Sequence, residues 1–76
     1  ELRQRLANNI RRLRLLKGWS QEDLAAAAEI DRTYVSAIER CRYSVSLDVL
    51  ERLARALEVE AHLLILQEEN GSNLRC

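Results

Sequence analysis

Proline is absent from this 76-residue chain, and glycine occurs only twice, at Gly18 and Gly71. With no proline to break a helix, the chain is free to be helical nearly throughout, and each helix must end by its capping chemistry. Phenylalanine and methionine are also missing, so Leu, Ile, Val and Ala must fill any core. No apolar run approaches the ~20 residues of a membrane span, and no leader pattern opens the sequence, so a cytoplasmic, non-membrane protein is expected. The single histidine, His62, has only Glu58 near it at a weak spacing for metal ligation. There is no nucleophile–base pair and no glycine-rich phosphate loop, so no metal, cofactor, small-molecule ligand or enzymatic activity is expected. Cys41 and Cys76 are expected to be free thiols, as in a reducing compartment.

Net charge is zero, but its distribution is not even. Residues 1–17 hold six cations (Arg3, Arg5, Arg11, Arg12, Arg14, Lys17) against Glu1 alone. Residues 58–76 hold Glu58, Glu60, Glu68 and Glu69 against Arg75. Segregated charge gives a small domain a positive and a negative end, and the local field governs which partners approach. Part of the basic first helix is therefore expected to meet phosphate.

The periodic segments predict an all-α, five-helix bundle. Leu2, Leu6, Ile10 and Leu13 mark a first helix over about 2–17, stopped at Gly18. Ser20 is an N-cap with Asp23 in capping-box position, and Asp31 opens the next helix. One device occurs three times: Trp19-Ser20-Leu24, Ile30-Asp31-Val35 and Val45-Ser46-Leu50 each place apolar residues around an N-cap as a hydrophobic staple. A fourth helix is predicted over about 47–57 from Leu50, Leu53, Ala54 and Leu57, and a fifth over about 61–69. The whole chain, 1–76, reads as one domain, with polar residues after 69 expected to fray.

Residues 20–40 carry the functional signal. They predict two short helices joined by a tight turn, and the second divides in two at about 100° per residue. Tyr34, Val35, Ile38 and Glu39 fall on one side; Arg32, Thr33, Ser36, Ala37 and Arg40 fall on the other. Cations, hydroxyls and a small residue on one helix face suit a DNA groove. This pattern is similar to the helix-turn-helix of the Cro/C1 (XRE-like) regulators, and DRTYVSAIER looks most like the recognition helix of restriction–modification controller proteins. The resemblance covers about residues 8–66. Two departures are visible: Glu29 stands where the family usually has glycine in the turn, and the loop after the recognition helix, Cys41-Arg42-Tyr43-Ser44, lacks the family's Gly and Asn.

The resemblance implies a lambda-repressor-like DNA-binding fold and a sequence-specific transcriptional regulator, repressor or activator. It would act as a homodimer on a symmetric operator, with helix 31–40 in the major groove. Arg32, Thr33, Ser36 and Ala37 become the base-contacting candidates, since a guanidinium matches the O6/N7 edge of guanine and a threonine methyl suits thymine. Gln21, Arg40, Arg42 and Tyr43 become phosphate-contacting candidates. Tyr34 points inward by its angle, although its phenol could also reach a phosphate. Leu63, Leu64, Ile65 and Leu66 are adjacent apolar residues, which predicts a dimer seam in a segment over about 57–69; the plainer alternative puts Leu63 and Leu66 inward and leaves Leu64 and Ile65 on the surface. Arg14 and Glu39 match a family ion pair joining the first helix to the recognition helix. Glu22 lies where activators of the family touch RNA polymerase sigma factor. The rival reading is a protein-interaction module of the same fold, antitoxin-like, with little sequence beyond residue 66 to serve it.

Overall fold

The computed structural model describes residues 1–67, and the chain runs α1 (Leu2–Leu16), α2 (Gln21–Ala28), α3 (Arg32–Glu39), α4 (Leu47–Leu57) and a 3-10 turn, Ala61–Leu64. Each α-helix start is fixed by a side chain. Ser20 Oγ accepts from the Asp23 N–H at 3.0 Å while Asp23 Oδ2 accepts from the Ser20 N–H at 2.9 Å, completing the reciprocal capping box. Asp31 accepts from the Thr33 N–H at 2.8 Å, and Ser46 from the Val49 N–H at 3.1 Å. Trp19, Ile30 and Val45, the leading residues of the three staples, all pack against the core.

All four α-helices end in the same way. The residue past the last turn is left-handed in each case: Gly18 (φ 72°), Glu29 (60°), Cys41 (59°) and Glu58 (61°). The next N–H reaches back five residues to a carbonyl of the last turn: Trp19 to Arg14, Ile30 to Ala25, Arg42 to Ala37 and Val59 to Ala54, at 2.9–3.0 Å. These are Schellman closures, which satisfy carbonyls that a helix end would leave orphaned. Three are made without glycine, so each carries a Cβ in a region costing about 1 kcal/mol or more.

The core gathers Leu6 and Ile10 of α1, Leu24, Ala25 and Ala28 of α2, Val35 and Ile38 of α3, Leu53, Ala54 and Leu57 of α4, and Leu64. Leu2, placed on the inner stripe by its spacing, is exposed because the first turn of α1 overshoots this core. Asn9 replaces an apolar residue on the buried face of α1. It is 1% exposed, and its Nδ2 donates to the carbonyls of Leu64 and Leu66, both at 2.9 Å.

That contact corrects the expected fifth helix. Carbonyls of an α-helix accept from N–H groups four residues on; here Leu64 and Leu66 accept from the Asn9 side chain instead. The segment closes after one 3-10 turn, and Ile65, Leu66 and Gln67 are not helical. The described part of the chain thus has four α-helices and a 3-10 turn where five helices were expected. Residues 68–69 of that prediction lie outside the described residues. Of the two expected free thiols, Cys41 is half-buried with its Sγ 3.8 Å from the Arg3 carbonyl oxygen, and Cys76 lies outside the described residues.

Candidate nucleic-acid interface

The face of α3 opposite the core is the part of the molecule with polar side chains and no internal use for most of them. Val35, Ile38 and Glu39 are buried. Arg32, Thr33 and Arg40 are exposed on the other side, with Ser36 and Ala37 half-buried between them. None of the ion pairs among the described residues involves Arg32, Arg40 or Arg42. Thr33 is more constrained, because its hydroxyl donates to Asp31 Oδ1 at 2.7 Å. Its proton is committed, leaving the methyl group and the oxygen lone pairs to face outward. The Thr33 backbone N–H and hydroxyl hold the Asp31 carboxyl below its ordinary value, with a smaller assist from the neighbouring Arg32 charge.

Tyr34 departs from its inward reading. It is 42% exposed, and its ring stacks on Tyr43 with centroids 5.2 Å apart and planes at 29°. Tyr43, half-buried, packs against the core from the loop after α3. The stack draws Tyr34 along the flank of α3 and out of the interior.

Glu39 is the hub that holds this face in place. It is 3% exposed, and its carboxylate accepts from Arg14 Nε at 2.8 Å, Arg14 Nη2 at 3.0 Å and Gln21 Nε2 at 3.1 Å. Arg14 Nη1 also donates to the Trp19 carbonyl at 2.8 Å. Arg11 adds a second cation, with Nε 3.5 Å from Glu39 Oε1 and Nη2 donating to the Glu39 carbonyl at 2.8 Å. A buried carboxylate is tolerated only with such partners. Three helices thereby meet at one residue of α3. Gln21, a phosphate candidate, spends one amide N–H on this hub; the other remains, along with the backbone N–H groups that open α2.

Arg11 and Asn9 were missed by sequence reasoning. Their signal was positional: Arg11 lies three residues before Arg14, and Asn9 lies three after Leu6 and four before Leu13. The structure also narrows the use of the basic first helix. Arg11 and Arg14 serve Glu39, Arg5 donates to Gln67 Oε1 at 3.3 Å, Arg12 to Asn9 Oδ1 at 3.2 Å, and Lys17 pairs with Glu58 at 3.2 Å. Most of its cations thus bind the protein itself.

The apolar segment after α4 divides differently from the expected seam. Leu64 is 0% exposed and belongs to the core, so it has no surface left for a partner. Leu63 and Ile65 are half-buried and Leu66 is 51% exposed. Glu22 is exposed on α2, whereas its neighbour Asp23 is occupied by the capping box. His62 is exposed, and no helix of the described residues is long and apolar enough to cross a membrane.

Comparison with known proteins agrees with this geometry. The helix-turn-helix family model matches residues 10–64. A hypothetical transcription factor of Neisseria meningitidis is 52% identical over 97% of this chain and 70% of its own length. Control protein C.BamHI of Bacillus amyloliquefaciens is 46% identical over 67% of this chain and 64% of its own. Among solved structures, the Neisseria factor superposes with a TM-score of 0.84 over 87% of this chain and 76% of that one, at 52% identity. Restriction–modification controller C.AhdI of Aeromonas hydrophila gives a TM-score of 0.76 at 42% identity, over 79% of this chain and 91% of its own. Controller C.Esp1396I, solved as a tetramer with its natural 35 base-pair operator, gives 0.76 at 38% identity over 83% of each chain. With a family model spanning the helix-turn-helix and the core, and relatives at these identities, the chain belongs to the XRE-like helix-turn-helix family of transcriptional regulators.

Proposed function

We propose that this protein is a sequence-specific, double-stranded-DNA-binding transcriptional regulator that acts as a homodimer on a symmetric operator. The observation that carries the reading is the outer face of α3: Arg32, Thr33 and Arg40 exposed on a helix whose opposite face is buried and whose last residue is clamped by α1 and α2. A groove-reading helix needs such a rigid frame, because base discrimination depends on side chains arriving at fixed positions. Arg32, at the first turn, is assigned to guanine, and Thr33, Ser36 and Ala37 to neighbouring base edges. Arg40, Arg42 and the start of α2 with Gln21 are assigned to phosphates, which set register without specifying sequence.

Dimerisation is assigned to Leu63, Ile65 and Leu66, the apolar residues that the fold leaves partly or largely uncovered past α4. One protomer measures 29 × 22 × 21 Å, a size that lets two copies about a two-fold axis present their α3 helices one helical turn apart, ~34 Å. Glu22 is assigned to contact with RNA polymerase sigma factor when the regulator activates, and the cytoplasm to its location. Selection of bound duplexes from a random pool, followed by footprinting, tests the reading. The expected result is a two-fold symmetric consensus with half-sites one turn apart. Recovery of no consensus would remove the DNA-reading role and favour a protein-binding one.

A further inference from the structure

We propose that Tyr43 is a positioning residue for DNA recognition, acting through Tyr34; this rests on the reading of α3 as the DNA-reading helix. Tyr34 is the third residue of α3, immediately after Arg32 and Thr33. It lies at the flank of the outer face, with 42% of its surface exposed. An isolated tyrosine there would sample several rotamers, and ordering it on DNA would cost entropy. The Tyr43 ring removes that freedom. It is anchored against the core on one side and stacks on Tyr34 at 5.2 Å and 29° on the other.

The stack also spans nine residues of chain, tying the first turn of α3 to the loop that carries Arg42. That loop begins at Cys41 with φ 59°, a left-handed position without glycine, so it needs support from its neighbours. Tyr43 supplies it. Its contribution to binding is therefore the aromatic ring. Its hydroxyl does not hold a phosphate directly, and the Tyr34 phenol is the group presented to the nucleic acid.

Ring and hydroxyl are separable by substitution. The duplex selected from the random pool and a random-sequence duplex of equal length serve as probes, with thermal unfolding recorded for every variant. Tyr43→Phe keeps the stack and is expected to bind the selected duplex as the parent does. Tyr43→Leu keeps the apolar contact with the core but loses the stack, and is expected to weaken binding to the selected duplex about threefold to tenfold per half-site, the worth of one aromatic pair. Tyr34→Ala is expected to lose at least as much, and adding Tyr43→Leu to it should cost nothing further. Loss in Tyr43→Phe equal to that in Tyr43→Leu overturns the proposal in favour of a direct hydroxyl contact, and additive losses in the double variant overturn it as well. A parent protein that binds neither duplex refutes the underlying reading of α3, an outcome distinct from either of these.

Discussion

Replacing Arg14 by methionine should destabilise this protein more than any surface change, and the hub geometry sets the size. Glu39 is 3% exposed and Arg14 12%, and the guanidinium supplies two of the three close donors to the carboxylate. Removing one partner of a buried pair typically costs about 3–5 kcal/mol, because the remaining charge is left uncompensated. Here Arg11, one-third exposed, and Gln21 stay behind and stabilise part of the carboxylate, which points to the lower end, about 3 kcal/mol. Methionine keeps the volume of the arginine stem, so lost packing adds little. For a domain this small, a change of that size lowers Tm by roughly 12–24 °C. Urea unfolding followed by circular dichroism would measure it as a lower midpoint with unchanged slope. The double variant Arg14→Met/Glu39→Leu removes the stranded charge and should recover most of the loss. A Tm shift below about 4 °C, equivalent to less than ~1 kcal/mol, would refute the argument and show that Arg11 and Gln21 satisfy Glu39 unaided.

Other outcomes follow from the same contacts. Glu29→Gly should raise stability by about 1 kcal/mol, since the position is left-handed and the mutation removes a Cβ there; an unchanged or lower unfolding midpoint would contradict that account. Arg32→Ala should cost roughly 1–3 kcal/mol on the selected duplex and much less on random DNA, whereas Arg42→Ala should weaken both and lower the salt slope by about 0.9 per subunit. Equal losses on both DNAs for Arg32→Ala would reassign it to phosphate. Leu66→Asp should yield a folded monomer in sedimentation, while Leu64→Asp, at a position with no exposure, should unfold the protein; a folded Leu64→Asp monomer would return Leu64 to the seam. The Asp31 carboxyl is held below 3.8, so its contribution to stability is present above that pH and lost as pH falls through the lowered folded value. Asp31→Asn should accordingly flatten the acid limb of the stability curve, and an acid limb as steep as the parent's would remove Asp31 from it.

Much of this architecture was legible in the chain because it is locally encoded. Ser20 with Asp23, Asp31 and Ser46 find their partners two or three residues away, so each helix start follows from neighbours. The two faces of α3 follow from a period of 3.6, which places Val35 and Ile38 inward regardless of what they meet. What tertiary structure alone decided depends on residues far apart in sequence. Asn9 reaches across 55 residues to the Leu64 carbonyl and to Leu66 beyond it, and so ends what four consecutive apolar residues had suggested was a helix. The same docking put Leu64 in the core, although its neighbours offer equal hydrophobicity. Tyr34 turned outward because Tyr43 arrives beside it from the next loop, and the cations of α1 and of Lys17 just past it turned to Glu39, Gln67 and Glu58 because those groups come within reach only in the folded chain. Spacing fixes which face a side chain occupies; which partner waits there is decided by how the helices pack.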